Sequence, residues 1–271
     1  GLAFIVLQPL IWLGAQHLLS PEPDVAEQAY TYFAILIWGA PFVLLNYEKT
    51  THDVFTIAHE LGHSLHSYFS SKAQPYSKAD YTIFVAEVAS TVNEVLLLKH
   101  IVNKTQDWQL KKYLLSYYLD MFRTTLFRQT QFSEFEAKVH QMVENGQPLT
   151  YKNMCELYLE LNQKYYGPSV ISDEEIQYEW ARIPHFYRNF YVYKYATGLT
   201  SAVSIAKAIL EGGEEARERY IEFLSSGGSD SPVELLKITG VDLTAAKPYR
   251  DAMSEFEGTL RQLKKLLSEK G

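Results

Sequence analysis

The sequence has a single cysteine, Cys155, among its 271 residues. One cysteine cannot form a disulfide within the chain, which excludes a disulfide-rich secreted domain and favours a cytoplasmic location. Basic residues are also in deficit, because 25 Lys and Arg stand against 32 Asp and Glu for a net charge of -7. No basic stripe that could meet phosphates is present, so nucleic acid is not expected as a partner.

Charged residues are missing from two stretches near the N-terminus, 1–21 and 28–47. Each is long enough to cross a bilayer as a helix, whereas the basic region and cleavage site of a signal peptide are absent. The run PDVAEQAYTYFAILIWGAP (23–41) resembles part of a multidrug-efflux (MATE-type) transporter. We therefore predict that residues 1–40 are a hydrophobic segment foreign to the rest of the chain, with membrane contact through it if it is genuine. The alternatives are a chimeric reading frame, an assembly artefact, or two hydrophobic helices packed on the rest.

What the sequence does contain is the pentapeptide His59-Glu60-Leu61-Gly62-His63. Residues four apart on a helix share a face, so His59 and His63 point the same way, and neutral imidazole is a good zinc ligand. Glu60 lies at the edge of that face, where a carboxylate can take a proton from water instead of binding the metal. The alternative is that such histidines are structural, which we expect of His66 one turn further on, unless it supports a ligand.

A third ligand distinguishes a metal site from a chance occurrence of this motif, because catalytic zinc sites usually combine three protein ligands with one open position. Glu87 is the candidate. It begins a second helical pattern with apolar neighbours, where an unpaired carboxylate would be costly. The loop signal SSKAQPYS (70–77) lets the chain return antiparallel before it. The pattern therefore predicts one zinc ion held by His59, His63 and Glu87.

Several longer runs carry a resemblance to a known family: PFVLLNY (41–47), HELGHSLHSYFS (59–70), FVAEVASTVNE (84–94), LFRQTQFSEFE (126–136) and IPHFYRNFYVYKYATG (183–198). Together they resemble oligoendopeptidase F, one of the thimet-oligopeptidase-like zinc peptidases. The resemblance implies a mainly α, multi-helical zincin-like fold with at most a small β element before the motif helix. It also implies His59, His63 and Glu87 as zinc ligands, Glu60 as general base, and oligopeptides as substrates.

The resemblance covers residues 41–271, which we expect to form the zinc metallopeptidase catalytic region. In the family, several hundred residues normally precede this region and provide the second wall of the substrate channel. In the family, these residues also provide a glycine-containing strand beside the zinc helix. Residues 42–47 are expected to be one strand of the same sheet, and the glycine-containing neighbour has no counterpart in this sequence. The metal-binding residues are thus expected without the whole substrate platform.

The run RIPHFYRNFYVYKY (182–195) offers donors for the tetrahedral oxyanion that forms during peptide hydrolysis. In the family, a histidine and tyrosines of this segment line the cleft opposite the zinc, which makes His185 the first candidate. Tyr191, Tyr193 and Tyr195 alternate, so one helix face cannot hold all three. Tyr191 and Tyr195 are taken as candidates, and which tyrosine acts is left open. Ordinary core packing is the alternative for each ring.

Supporting residues are expected too, because a zinc-bound imidazole usually donates its other N–H to a carboxylate or carbonyl. Glu94 shares the face of Glu87 and is one candidate. Asp53 is another, unless it only caps the motif helix, for which Thr51 is an alternative.

Beyond these motifs the pattern predicts one helix after another. Residues 107–143 carry apolar side chains at helical spacing and predict one long helix. Thr150 is expected to cap a helix over 151–166, and Ser172 with Glu175 to form the capping box of the next.

These features together predict a zinc-dependent endopeptidase that hydrolyses short peptides through a zinc-activated water, with Glu60 as general base. The alternative is a catalytically inactive fragment with a structural zinc site and a membrane-associating N-terminus. A carboxypeptidase of the same chemistry would need a basic residue for the substrate's C-terminal carboxylate. Arg182, Arg188 and Lys194 are available for that role, but nothing selects it. Oligomeric state and cleavage preference are left open.

Overall fold

The computed structural model describes Glu48 and residues 50–270, and every regular element among these residues is helical. The prediction of a mainly α fold is confirmed, since no β-strand occurs in this part of the chain. The predicted hydrophobic segment 1–40 and the predicted strand 42–47 lie outside the described residues. No helix between residues 50 and 270 is long and apolar enough to span a bilayer.

The α-helices are numbered in chain order. They are α1 (Thr51–Ala73), α2 (Tyr76–Ala79), α3 (Ile83–Lys104), α4 (Trp108–Met121), α5 (Arg128–Glu144), α6 (Tyr151–Tyr166), α7 (Tyr193–Ser225), α8 (Pro232–Ile238) and α9 (Lys247–Lys270). A π-helical turn (Phe122–Phe127) joins α4 to α5, and 3₁₀ helices cover Glu174–Arg182 and Pro184–Tyr187. These elements form two compact units, the first made of the described residues up to 103 with 202–245, and the second of 104–201 with 246–270.

The first unit is built on α1 and α3, which approach each other closely at Gly62. A Cβ atom at position 62 would lie 2.5 Å from Ser90 Cα and 2.8 Å from the Ala89 carbonyl oxygen, so the contact requires glycine. Apolar side chains from three helices, α3, α7 and α8, form the core of this unit: Val85, Val88, Val92, Ala202, Ile205, Phe223, Leu224, Leu235 and Leu236.

A capping box fixes the start of α1. Thr50 Oγ1 accepts from the Asp53 N–H at 3.2 Å, and Asp53 Oδ2 accepts from the Thr50 N–H at 2.7 Å. Asp53, offered by the sequence as a support for a zinc ligand or as a cap, is therefore a cap. Thr50 is the N-cap residue and Asp53 completes the box three residues on, so the alternative cap Thr51 is wrong.

In the second unit, the long helix predicted over 107–143 is present as α4 and α5, but it is not uniform. The π-helical turn between them contains the buried side chains of Phe122 and Leu126. A π turn has more residues than an α turn, so the residues of α5 are rotated about the helix axis relative to a continuous α-helix. The side chains of α5 that face the core are therefore not the ones that a uniform period of 3.6 residues predicts. They belong to a core made of Phe132, Phe135, Tyr158, Leu161, Ile183 and Val192.

Two helix starts in the second unit bear on the predicted caps. Thr150 caps α6, as predicted. The predicted capping box of Ser172 and Glu175 is wrong, because Asp173 caps the following 3₁₀ helix. The Ser172 hydroxyl donates instead to Asn162 Oδ1 at 2.9 Å. The Ser172 side chain therefore makes a tertiary contact with α6 instead of capping the 3₁₀ helix.

Candidate metal centre

One turn of α1 brings two imidazoles together. His59 Nε2 lies 3.2 Å from His63 Nε2, and the rings meet edge to face at 84°. Helix α3 adds a carboxylate, since Glu87 Oε2 lies 3.5 Å from His59 Nε2. Ligand atoms of these three residues all lie within 4.8 Å of one another. The structure thus brings together the three residues predicted as metal ligands.

Two of the ligand-atom separations, both measured from His59 Nε2, fit a tetrahedral metal ion. Zinc binds imidazole nitrogen and carboxylate oxygen at about 2.0–2.2 Å, which puts two ligands of one ion about 3.3–3.6 Å apart. The separations of 3.2 Å between the imidazole nitrogens and 3.5 Å between His59 and Glu87 agree well with that spacing. Two imidazoles and one carboxylate suit zinc and leave one position open. Binding of the ion itself stays a prediction.

Glu94 contacts the Nδ1 side of the His59 ring, whereas His63 and Glu87 lie near Nε2. Glu94 Oε1 is 2.6 Å from His59 Nδ1, and only 13% of the Glu94 side chain is exposed. Burial alone would lower the pKa of His59, but the hydrogen bond and charge of Glu94, with Glu87 and Glu60 adding to them, raise it above its ordinary value. An Nδ1–H that donates to this carboxylate fixes the tautomer and leaves the Nε2 lone pair facing the metal position. The geometry therefore suits the supporting role predicted for Glu94.

The pKa of His63 is shifted in the opposite direction. Burial and the charge of the neighbouring His59 lower the pKa of His63, against smaller contributions from Glu87 and Glu60 that raise it. A lowered pKa keeps the ring neutral near pH 7. The neutral ring is the form that binds a metal ion.

Glu60 follows His59 on α1. Its charge is among those that raise the pKa of His59 and oppose the lowering at His63, which indicates that the carboxylate is near both rings. The residue is partly exposed, so water can reach it. This arrangement suits a proton acceptor beside a metal position. The catalytic role of Glu60 stays a prediction.

Gly62 and Asn93 hold α1 and α3 together beside the site. Gly62 allows the close approach to Ser90, and Asn93 Nδ2 donates to the Ala58 carbonyl oxygen at 2.6 Å. The bond ties the backbone next to His59 to the residue that precedes Glu94. Neither role was predicted from the sequence, although both residues lie inside the two motif runs.

His66 is a structural residue. Its ring is buried, stacks on the Tyr81 ring with centroids 3.6 Å apart, and also contacts Phe223. Burial lowers the pKa of His66 to about 3, so the ring is neutral at physiological pH. These contacts agree with the structural role expected for it.

The remaining predicted site residues form one cluster in the second unit. The Tyr195 hydroxyl lies 3.2 Å from His185 Nε2, and the Tyr191 ring centroid is 5.7 Å from the centroid of each of their rings. Helix α7 begins only at Tyr193, so Tyr191 precedes the helix and its ring is not bound to the helical period. On one helix, the alternation of Tyr191, Tyr193 and Tyr195 would prevent all three rings from sharing a face. Because Tyr191 lies before the helix, that alternation does not constrain its ring, which lies next to Tyr195. A pocket of about 250 Å³ in this segment is lined by Pro184, His185, Arg188 and Tyr191.

The chain matches a known family and several named proteins. Residues 31–255 match the sequence profile of peptidase family M3. The chain is 45% identical over 227 residues to the oligopeptidase PepF of Bacillus subtilis, an alignment that covers 84% of this chain and 34% of that protein. It is 47% identical over 257 residues to an oligoendopeptidase F homologue of Lactococcus lactis, covering 94% of this chain and 42% of the other.

A solved structure shows the same relationship. The crystal structure of oligoendopeptidase-F from Enterococcus faecium matches with a TM-score of 0.74 and 44% identity, over 88% of this chain and 41% of that one. The chain therefore spans between a third and about two fifths of the length of these relatives. None of the three is named as a transporter, so the transporter resemblance near the N-terminus gains no support. That resemblance and the boundary at residue 41 stay predictions.

Proposed function

Because this chain belongs to peptidase family M3, we propose that it carries the zinc centre of an endopeptidase that hydrolyses short peptides. The observation that carries the proposal is the convergence of His59, His63 and Glu87 within 4.8 Å. The relatives named oligopeptidase and oligoendopeptidase F support short peptides as substrates and cleavage inside the peptide chain.

In this proposal His59, His63 and Glu87 hold one Zn²⁺ per chain. When bound, the ion supplies a Lewis acid that lowers the pKa of water and stabilises the charge developing on the scissile carbonyl oxygen. The two separations from His59 Nε2, to His63 and to Glu87, and the lowered pKa of His63 support this assignment. Glu94 accepts a hydrogen bond from the Nδ1–H of His59, and so keeps the Nε2 lone pair of that ring available to the ion.

Glu60 is the general base of the reaction. Its carboxylate takes a proton from the attacking water and passes that proton to the amine that leaves when the peptide C–N bond breaks. Its partial exposure and its proximity to both imidazoles support this role.

His185, Tyr191 and Tyr195 supply hydrogen-bond donors to the oxyanion of the tetrahedral intermediate. Donors that are held in place before the charge develops stabilise it most, and removing one costs about 10²–10³ in kcat. The mutual contacts of the three rings support a donor group that is ordered in advance. A Tyr195→Phe variant is expected to lower kcat more than it changes KM.

The test is cleavage of an internally quenched oligopeptide by the zinc-loaded chain and by its Glu60→Gln variant. Loss of the base should lower kcat by about 10²–10⁴. Zinc content should stay at one ion per chain, because Glu60 is not a ligand in this proposal. Glu211→Gln, a change at an exposed residue of the same unit, is the matched control and should keep the parent rate.

Three outcomes separate the possibilities. Zinc-dependent cleavage that vanishes in Glu60→Gln supports the proposal. Cleavage that persists in Glu60→Gln contradicts the role of Glu60. A parent that binds one zinc but cleaves nothing contradicts the activity of this chain and favours a fragment that keeps the metal site without the substrate platform.

A further inference from the structure

The loop between the second 3₁₀ helix and α7 contains a disfavoured backbone conformation. Phe190 has φ of 51°, and among the residues that the structure describes it is the one non-glycine residue with a positive φ. At a positive φ the Cβ atom of a residue lies too close to a backbone carbonyl oxygen, so aromatic residues rarely adopt this conformation. Such a conformation persists only where surrounding contacts hold it in place.

The contact that holds Phe190 comes from α5. The Phe190 N–H donates to Glu136 Oε1 at 2.7 Å, across 54 residues of sequence. Glu136 is only 6% exposed, and a hydrogen bond to a buried carboxylate is among the stronger kinds. The His140 ring, one turn further along α5, packs against the Phe190 ring with centroids 4.7 Å apart. Side chains of α5 therefore hold both the backbone and the ring of Phe190.

Phe190 lies between members of the His185, Tyr191 and Tyr195 cluster. Tyr191 follows it directly, and the 3₁₀ helix that carries His185 ends at Tyr187. On the other side Val192 is 1% exposed, which fixes the chain just before α7 begins. The left-handed residue thus sets the direction in which the chain presents Tyr191.

We propose that Glu136 is a positioning residue for the reaction. By holding Phe190 in the left-handed conformation, its carboxylate fixes Tyr191 relative to His185 before substrate binds. This inference rests on the proposed function, because it concerns the donors assigned there to the oxyanion. It also gives the run 126–136, which ends at Glu136, a role in the site.

A neighbouring glutamate provides the matched control. Glu134 lies on the same helix, and its Oε2 accepts from Lys164 Nζ at 2.8 Å and from the Tyr165 hydroxyl at 2.9 Å. A Glu134→Ala variant therefore removes side-chain contacts of α5 without touching residues 188–192. Any effect that comes from a weakened helix should appear in Glu134→Ala as well.

The first measurement is amide hydrogen exchange of residues 188–192 in the whole chain. In Glu136→Ala these amides should exchange about tenfold faster than in the parent, because the bond to Phe190 is lost. Glu136→Gln keeps an acceptor oxygen and should change the exchange less, and Glu134→Ala should leave it at the parent rate.

The second measurement is steady-state cleavage of a quenched oligopeptide by the same zinc-loaded variants. Glu136→Ala should lower kcat about tenfold while KM changes less than about threefold, because misplaced donors weaken binding of the transition state more than binding of the substrate. Glu136→Gln should recover most of kcat. Glu134→Ala should keep both constants close to those of the parent.

Each contrary outcome overturns the inference for a different reason. Unchanged exchange in Glu136→Ala shows that the carboxylate does not hold the loop. Equal acceleration in Glu134→Ala shows a general weakening of α5. Faster exchange without a loss of kcat shows that the loop does not position the donors. A parent without activity refutes the proposed function, and the exchange measurement then still reports separately whether Glu136 holds Phe190.

Discussion

Glu94 Oε1 and His59 Nδ1 lie 2.6 Å apart, and this contact joins the two helices that carry the candidate zinc ligands. One oxygen therefore does two things. It fixes the tautomer of His59, and it ties α3 to α1 directly beside the bond between Asn93 and Ala58. The candidate ligands are thus held in their relative positions by neighbours that do not belong to the ligand set.

Removing the Glu94 carboxylate should weaken zinc binding without abolishing it. The Glu94→Ala variant is expected to bind zinc about 10–100-fold more weakly, because His59 loses the acceptor that orients it. Competition with a chelator of known affinity measures the change. Glu94→Gln, which keeps an acceptor oxygen, should lose less. An unchanged affinity in Glu94→Ala would show that His59 needs no such support.

Adding a methyl group at Gly62 should force α1 and α3 apart. A Cβ there would lie 2.5 Å from the backbone of Ser90, so Gly62→Ala is expected to lower the free energy of unfolding by about 1–3 kcal/mol. Gly258→Ala on α9 is the control, because a Cβ at that position meets nothing within 4 Å. Urea unfolding compares the two variants. Equal stabilities would contradict the close packing of the two helices.

Zinc should stabilise the fold through the three candidate ligands. A ligand that binds only the folded state at 100 times its Kd adds about 2.7 kcal/mol, so the Tm of the parent should rise with zinc. His63→Ala and Glu87→Ala should remove most of this rise. His100→Ala, at an exposed histidine on α3, should keep it. A rise that survives in His63→Ala would place the ion elsewhere.

The buried imidazole of His66 should make stability fall in mild acid. Its pKa is about 3 in the folded protein against an ordinary 6.5, so between these values the unfolded chain binds a proton that the folded chain does not. The stability that the neutral His66 ring adds to the folded protein is therefore fully present above pH 6.5. As the pH falls below that value, the free energy of unfolding decreases by up to about 1.4 kcal/mol per pH unit.

Unfolding of the metal-free protein by urea at pH 7.5 and at pH 5 measures this effect. His66→Phe keeps a ring that can stack on Tyr81 but cannot titrate, so it should lose less stability than the parent between the two pH values. The same loss in both proteins would contradict the assignment to His66.

The sequence predicts the helices and the candidate ligands well because both depend on local periodicity. A spacing of four residues fixes the shared face of His59 and His63 whatever surrounds them. Glu87 and Glu94 repeat along one face of the next helix for the same reason. The cap at Thr150 is equally local and was predicted correctly.

The features that sequence does not predict depend on contacts between distant residues. The close approach at Gly62 is set by Ser90, and the conformation of Phe190 is set by Glu136. The error at Ser172 has the same origin, since Asn162 takes its hydroxyl. No pattern within a single helix reports such pairs.

Zinc-dependent cleavage inside a peptide is measured on a synthetic oligopeptide blocked at both ends, incubated with the zinc-loaded chain and analysed by mass spectrometry. Blocked ends exclude a carboxypeptidase that needs a free carboxylate. We expect cleavage at an internal bond, its loss when a chelator removes zinc, and its return when zinc is added back. Absence of internal cleavage by the fully zinc-loaded chain would contradict the proposed function.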